Sequence, residues 1–392
     1  MPPKNQDNRL RLFTAIPCAA CAAMMLSVVP LVCLPGAGLG AAWWQGSTQA
    51  GTDAPPAAAS RFFVLAVVAG LEPAMLNIFL QSWHRFSPHT RIVLWVEEGT
   101  TLDDHGLPVE VIRFSQTTDN NLVKLQRYAL YKSFLEELLR QVYTGGVVLA
   151  DARDVFIQSD PWQDLTIRKL VRQRCSFSTA NADWRWLAWL RDALLFSLEG
   201  RPEDGEGKPI RDSVANHRWI DICFGKATLK NVSNLPISCS GVTVGGIGAV
   251  AAYVYQLLHV AFHIAKRGSR FSGGSDQGVH NDMLHVLGPS GQLDFTYHVL
   301  KNWDSPVFTA GHGWPHHLDS FGVYRRGDGS GTEGNQMLPP PIVHQYDKRG
   351  GGITLLMRAM YPVLTEEYRV LGPERGDEAP PLSAWLAACR FC

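Results

Sequence analysis

Two aspartates directly after an apolar run are the residues whose type and spacing most clearly suggest chemistry. The run Gly145–Ala150 has strand length, and Asp151, Arg153 and Asp154 follow it at once. Hard divalent cations prefer oxygen ligands, and Asp151 and Asp154 are close enough in the chain to share one ion. An arbitrary Asp-x-x-Asp more often forms turns or ion pairs. Its position after a buried strand, where α/β sheets bind ligands, instead favours a metal site.

A histidine near the end of the chain is a candidate third ligand. His344 follows two apolar residues and a triple proline, Pro339–Pro341. A neutral imidazole can join two carboxylates around Mn²⁺ or Mg²⁺. A lone histidine is more often structural, so its type alone leaves both interpretations open.

Five segments together carry a family resemblance: Leu122–Leu139, the Asp151 segment, Ser238–Val242, Ser275–Asn281 and Val343–Lys348. In order and approximate spacing they resemble the motifs of GT-A type glycosyltransferases, which are nucleotide-diphospho-sugar transferases. The resemblance is nearest to the glycogenin-like and galactinol-synthase-like group, and to uncharacterised relatives with an Asp-x-Arg-Asp motif.

The resemblance implies an α/β fold, a single Rossmann-like GT-A domain over residues 61–372 with a mostly parallel central sheet. It implies transfer of a hexose-like sugar from a nucleotide-sugar donor to a glycan, protein or lipid acceptor, with Mn²⁺ or Mg²⁺ as cofactor. The expected metal ligands are Asp151, Asp154 and His344. The expected donor-binding residues are Lys124, Arg127, Arg153, Ser240 and Gly241. The expected catalytic residues are Asp276 and Gln277.

The chain departs from the family pattern at three places. The usual Asp-x-Asp is Asp-x-Arg-Asp here, and Cys239 or Ser240 replaces the usual asparagine of the strand that faces the donor sugar. Asp347 stands where a glycine is expected after the late histidine. These changes bear on the identity of the donor rather than on the class.

Ordinary structural roles are alternatives to several of these functional assignments. Lys124 and Arg127, at i and i+3 near a helix start, could form a solvated face. Asp276 could orient the acceptor hydroxyl, contact the donor sugar or cap a helix. Gly246–Ala251 imitates a dinucleotide-binding fingerprint without its acidic partner, so chance explains it better. Two other functions stay open: a metal-dependent phosphoester or pyrophosphate hydrolase, and a catalytically silent nucleotide-sugar-binding protein.

Strand–helix–strand alternation predicts the elements that position these residues. The predicted strands are Phe62–Ala69, Arg91–Glu97, Val109–Phe114, Val147–Ala150 and Ile237–Val244. The predicted helices are Glu72–Phe86, Leu122–Val142 and Ala249–Lys266.

The N-terminal residues predict a membrane anchor. Lys4, Arg9 and Arg11 precede an uncharged stretch, Leu12–Trp44, that is long enough to span a bilayer. We predict a cytoplasmic tail (1–11), a signal-anchor (12–44), a flexible stem (45–60) and a polar C-terminal tail (373–392). The catalytic domain would lie in the lumen of the Golgi or endoplasmic reticulum as a single-pass type II protein. The alternative is a cleaved signal peptide and a secreted protein.

Composition and cysteines add weaker constraints. The formal net charge is zero, so no global field favours nucleic acid, and no nucleic-acid partner is expected. Five cysteines lie outside the anchor (Cys175, Cys223, Cys239, Cys389, Cys392), which allows one or two disulfides. The sequon Asn231-Val-Ser predicts a glycosylated surface loop.

Overall fold

The computed structural model describes residues 61–102, 104, 106–115, 123–141, 145–172, 192–201, 204–267, 274–312, 339–349 and 357–361. The predicted cytoplasmic tail, signal-anchor, stem and C-terminal tail lie outside these residues, so those assignments stay predictions.

The secondary structure alternates in the first half and is less regular later. The described strands are β1 (Phe62–Val68), β2 (Arg91–Glu97), β3 (Val109–Phe114), β4 (Gly146–Ala150), β5 (Val155–Ile157), β6 (Ala193–Ser197), β7 (Val242–Gly246), β8 (Thr296–Leu300), β9 (Val307–Thr309) and β10 (Ile342–His344). The described α-helices are α1 (Pro73–Phe86), α2 (Val123–Arg140), α3 (Leu165–Arg172), α4 (Val214–Val232), α5 (Ile247–Lys266) and α6 (Ser275–Asp282). Short 3-10 helices cover Pro161–Gln163, Ile210–Asp212, Ala310–His312 and Tyr346–Arg349, and a π-helical turn covers Met283–Leu287.

Seven strands form the central sheet, in the order β3-β2-β1-β4-β7-β6-β8. Neighbouring strands are parallel except at β7, which runs antiparallel to both β4 and β6. The predicted α/β class with a mostly parallel central sheet is therefore confirmed.

Both faces of the sheet are covered at its central strands, which explains the continuous apolar runs there. Phe63 and Leu65 of β1 belong to the core beneath α2 and α5, whereas Val64 and Ala66 pack with α1 and α3. All four side chains have no exposed surface. Alternate residues of a strand point to opposite faces, so a strand between two helical layers must be apolar throughout.

A second, smaller sheet brings the end of the chain to the first half. Its order is β5-β10-β9, with β10 antiparallel to β5 and parallel to β9. Phe156, Phe308 and Val343 pack in one apolar cluster with Met75 and Ile78 of α1. This cluster fixes β10 beside the residues that follow β4.

Several boundaries differ from the predictions. The predicted strand Ile237–Val244 is wrong at its start, because β7 begins at Val242. Within the residues before it, Ser238 forms only an isolated bridge with Leu198. Helix α5 begins at Ile247 rather than Ala249.

Two features of the helices bear on the membrane and glycosylation predictions. Among the described helices, α5 has the length and apolar composition of a membrane span over Ile247–Ala265, but 61% of that window is buried inside the protein. Burial of this kind is equally expected of the core helix of a globular domain. Asn231 is exposed as predicted, yet it lies in the last turn of α4 and not in a loop.

The cysteines that the structure describes are not paired. Cys223 and Cys239 are both buried free thiols. The other six cysteines, among them Cys175, Cys389 and Cys392, lie outside the described residues, so the expected disulfides stay a prediction.

Candidate metal centre

Asp151 stands at the carboxyl end of β4, as the topology prediction required. Its backbone N–H donates a hydrogen bond of 2.8 Å to the carbonyl of Gly241, the residue before β7. Because β7 is antiparallel to β4, the start of β7 lies at the same sheet edge as the end of β4. Asp151 and Gly241 are thereby brought side by side.

Asp154 and His344 meet through the small sheet. Asp154 directly precedes β5, and His344, the last residue of β10, lies opposite Val155 in the ladder. The Gln345 N–H donates a hydrogen bond of 2.8 Å to the Asp154 carbonyl. Among the non-glycine residues described, Gln345 alone has a positive φ, 59°. This strained backbone ends β10 and folds the chain back at the site.

The three predicted metal ligands converge. One ligand atom from each of Asp151, Asp154 and His344 lies within 4.8 Å of the other two. The Asp154 Oδ1 to His344 Nε2 distance is 3.5 Å. Asp154 is 3% exposed and His344 is 1% exposed, so these groups are largely removed from water.

Each carboxylate is held by an arginine through one oxygen only. Arg127 pairs with Oδ1 of Asp151, and Arg153 contacts Oδ2 of Asp154 at 3.3 Å. The remaining oxygen of Asp154, Oδ1, is buried and accepts no hydrogen bond. Its nearest polar neighbour is Nε2 of His344 at 3.5 Å, and a cation between Asp154 and His344 would satisfy this buried oxygen.

Gly241 leaves the space that such an ion needs. A Cβ atom at this position would lie 2.9 Å from Asp151 Oδ2 and still closer to the imidazole of His344. Oδ2 of Asp151 therefore faces the same side as His344, away from Arg127. Two carboxylate oxygens and one imidazole nitrogen form a mixed ligand set that suits Mn²⁺, and the residues present fit the implied metal.

Arg127 links the centre to α6. Its guanidinium contacts Asp276 Oδ2 at 2.6 Å and the Tyr128 hydroxyl at 2.9 Å, in addition to Asp151. Burial alone would lower the pKa of Arg127, but Tyr128, Asp151 and Asp276 raise it well above its ordinary value. Arg127 is thus a fixed cation between two carboxylates.

The two predicted catalytic residues occupy different environments. Asp276 is in the first turn of α6, whose N-cap is Gly274, so the alternative that Asp276 caps this helix is excluded. Gln277 is buried and accepts hydrogen bonds from the Ser240 N–H at 2.8 Å and the Ser240 hydroxyl at 2.7 Å. Gln277 thereby positions the segment that leads into β7.

The remaining donor-binding candidates lie at the rim. Lys124 is exposed in the first turn of α2. The side chain of Arg153 is 56% exposed, although it also contacts Asp347 Oδ2 at 3.3 Å. Both cations can reach solvent beside the centre.

Sequence reasoning treated Cys239 and Asp347 as departures from a motif and missed that they contact the centre. Cys239 Sγ lies 3.4 Å from Nδ1 of His344, and Asp347 pairs with Arg153. The signal was present, because each lies in a segment that carried the resemblance. What sequence could not show is that a thiol faces the second nitrogen of the imidazole.

The electrostatics of the centre favour charged groups despite burial. Burial alone would raise the pKa of Asp154, but His344, Arg153 and Lys348 hold it below its usual value. Burial alone would lower the pKa of His344, whereas Cys239 and Asp154 raise it well above its ordinary value. An ionised Asp154 is the state that a cation ligand requires, whereas His344 must lose its proton before its nitrogen can bind a cation.

Comparison with known proteins adds little to this geometry. No protein-family model and no curated protein matches the chain. Among solved structures, the chain is similar to the crystal structure of the galactosyltransferase LgtC in complex with donor and acceptor sugar analogues. The identity is 12%, the alignment covers 79% of this chain and 99% of that chain, and the TM-score is 0.39. A likeness this distant does not bear on substrate or mechanism.

Proposed function

We propose that this protein is a divalent-cation-dependent glycosyltransferase that uses a nucleotide-diphosphate sugar. One observation carries the proposal: Asp151, Asp154 and His344 converge at the carboxyl end of β4, the edge where α/β sheets bind ligands. The centre combines two carboxylates, an imidazole and rim cations, a set suited to an anionic ligand held through a metal.

The ligands in this proposal are Asp151 Oδ2, Asp154 Oδ1 and a nitrogen of His344. When bound, Mn²⁺ or Mg²⁺ would offset negative charge on the diphosphate and on the departing nucleotide. The protein's own contribution is orientation, because Arg127 and Arg153 each fix one carboxylate by its other oxygen. Second-shell contacts of this kind hold ligands ready for the metal.

The rim cations are proposed to bind the donor. Arg153, more than half exposed, offers N–H groups that can pair with phosphate oxygens. Lys124 adds a second exposed charge at the start of α2. Gly241 lies beside Asp151 and Ser240 precedes it, so this segment is proposed to contact the sugar.

Asp276 is proposed to contact the donor sugar or the acceptor hydroxyl from beside Arg127. Gln277 is better described as a positioning residue, since its side chain hydrogen bonds to Ser240 and to the carbonyl of Ser238. Placement in the Golgi or endoplasmic reticulum lumen, with residues 12–44 as anchor, completes the proposal and rests on the sequence pattern alone.

The decisive experiment is a panel of nucleotide sugars tested with Mn²⁺ for binding, donor hydrolysis and transfer. We expect Mn²⁺-dependent binding and slow hydrolysis of at least one donor. Hydrolysis of simple phosphoesters without nucleotide preference would indicate a hydrolase instead. Binding without turnover on a broad acceptor panel would indicate a catalytically silent binding protein.

Asp154→Asn tests the metal role directly. The change keeps the size of the side chain but removes the charge that faces the cation, and we expect Mn²⁺-dependent turnover to fall at least about 100-fold, or roughly 3 kcal/mol. Turnover is measured against Mn²⁺ concentration, with thermal melting to confirm folding.

Asp160→Asn is the matched control. Asp160 Oδ1 accepts hydrogen bonds from the Ser87 hydroxyl at 2.8 Å and the Trp162 N–H at 3.2 Å, so it shapes a turn. The amide can still accept these bonds, and turnover should stay near that of the wild type. Unchanged turnover in Asp154→Asn would remove Asp154 from the centre.

A further inference from the structure

Two exposed histidines on α5 form a pair that the proposed function does not use. His259 and His263 are separated by four residues, so they lie on the same face of the helix. Their Nε2 atoms are 3.1 Å apart, and their rings approach edge to face with centroids 4.4 Å apart. Neither residue belongs to the metal centre at the end of β4.

The separation of the two nitrogens is that of two ligands on one metal ion. Nitrogens bound to Zn²⁺ at about 2.0–2.1 Å lie roughly 2.9–3.4 Å apart for the bond angles of common coordination geometries. Two histidines at i and i+4 on one helix face are a recurrent arrangement for binding Zn²⁺. A hydrogen bond between the two imidazoles gives the same separation, and it is the alternative that a test must exclude.

An acidic side chain shares a surface cleft with one of the two histidines. His259 and Asp294 line one surface cleft together with Tyr255 and Gln256. Asp294 is exposed in the segment that leads into β8. Among the described residues, no third metal-ligating side chain converges with the two histidines within 4.8 Å, so water molecules would complete the coordination of an ion held by the pair.

We propose that His259 and His263 form a second metal site, for a transition-metal ion such as Zn²⁺. Imidazole nitrogens suit Zn²⁺, Cu²⁺ and Ni²⁺ more than the hard cations that carboxylates prefer. The site is therefore chemically distinct from the proposed Mn²⁺ centre, and it stands whether or not the protein transfers sugars.

The test is a Zn²⁺ titration by calorimetry on the chelator-treated full chain without a polyhistidine tag. His259→Ala and His263→Ala should each weaken one class of Zn²⁺ binding at least about tenfold while leaving Mn²⁺ binding unchanged. Asp154→Asn should leave that class intact, which separates the two sites.

His217→Ala is the matched control, because His217 is also exposed on a helix, α4. It should leave the Zn²⁺ isotherm unchanged. Cu²⁺ added in place of Zn²⁺ should show nitrogen couplings in its electron paramagnetic resonance spectrum that disappear in His259→Ala. Isotherms of His259→Ala and wild type that superimpose would overturn the proposal, as would equal weakening by His217→Ala.

Discussion

Gly241 shows how closely the centre is built around its ligands. Any side chain at this position would meet the imidazole of His344 and the Oδ2 atom of Asp151. Its carbonyl also accepts the Asp151 N–H, so the backbone here cannot withdraw without losing a hydrogen bond. The residue must be small because two ligands and one backbone share the same space.

Gly241→Ala is therefore expected to displace His344 or Asp151 and to weaken Mn²⁺ binding at least about tenfold. Forcing an extra methyl group into a packed site typically costs about 1–3 kcal/mol, so a lower melting temperature is also expected. Calorimetric Mn²⁺ titration and thermal melting measure the two effects.

Ser240→Ala is the control for Gly241→Ala. It loses the hydroxyl that contacts Gln277 but adds nothing to the site. Its Mn²⁺ affinity should stay within a few-fold of the wild type. Equal Mn²⁺ affinity in Gly241→Ala and wild type would show that the ion, if bound, lies elsewhere.

At the residue scale, the sequence predicted the proposed metal ligands better than the residues that contact and orient them. Asp151, Asp154 and His344 could be singled out because their types and motif positions suggest metal binding. The pairing of Arg127 with both Asp151 and Asp276 could not be predicted. It joins α2, the end of β4 and α6, and only the fold determines how these elements pack. The contact between the Cys239 thiol and His344 was not predicted for the same reason.

A carboxylate of the protein itself occupies the glycine-rich turn at the start of α5. Asp192, just before β6, accepts a hydrogen bond of 3.1 Å from the Gly248 N–H. A Cβ at Gly246 would overlap the Asp192 carboxyl. The helix N-terminus, which would attract a phosphate, already holds a carboxylate from the protein.

Asp192 should make stability depend on pH. Burial raises its pKa to about 6, although the Gly248 N–H opposes the shift. An unfolded aspartate titrates near pH 3.9, so between about pH 4 and 6 the folded state binds more protons and stability falls as the pH rises. Relative to Asp192→Asn, the wild type should lose about 2–3 kcal/mol between pH 4 and pH 7.

Urea denaturation of the wild type and Asp192→Asn at pH 4.5 and pH 7 measures this difference. The asparagine keeps an acceptor for the Gly248 N–H but cannot titrate in this range. A difference in unfolding free energy that is the same at both pH values would show that Asp192 does not titrate as described.

At the element scale, long strands and helices with a regular sequence pattern were predicted, and short or irregular ones were not. β1, β2 and β4 are buried apolar runs, whereas β3 is only partly buried and was predicted from the alternation of strands and helices. The boundaries of all four strands agree with the predictions within a residue. β5, β9 and β10 have three residues each and carry no periodic signal. α4 was not predicted, and its interior contains Gly225 with φ 80°, where the helix is kinked.

At the scale of the whole molecule, Asn231 offers a test of topology. Its exposed side chain lies far along the chain from the predicted anchor, on the part that would enter the lumen. Expressed as the full chain in a secretory cell, the protein should show a mobility shift that an endoglycosidase removes. Asn231→Gln should abolish the shift and change stability by less than about 0.5 kcal/mol.

A missing shift, with the wild-type protein recovered from the membrane fraction, would contradict lumenal exposure of α4. Recovery from the medium with the shift present would favour a cleaved signal peptide over an anchor. Neither outcome alters the metal centre, which is defined by the fold of residues 61–361.

The separation of the ligands along the chain has a consequence for synthesis. Asp151 and Asp154 leave the ribosome long before His344, which follows Asp154 by 190 residues. Until β10 is made, β5 lacks the strand that pairs with it, and the cation lacks its nitrogen ligand. Because chains fold from the N-terminus as they are made, the centre is completed only near the end of translation. If the proposed centre binds a cation, a chain cut short before Pro339 should lack that binding, because it lacks His344.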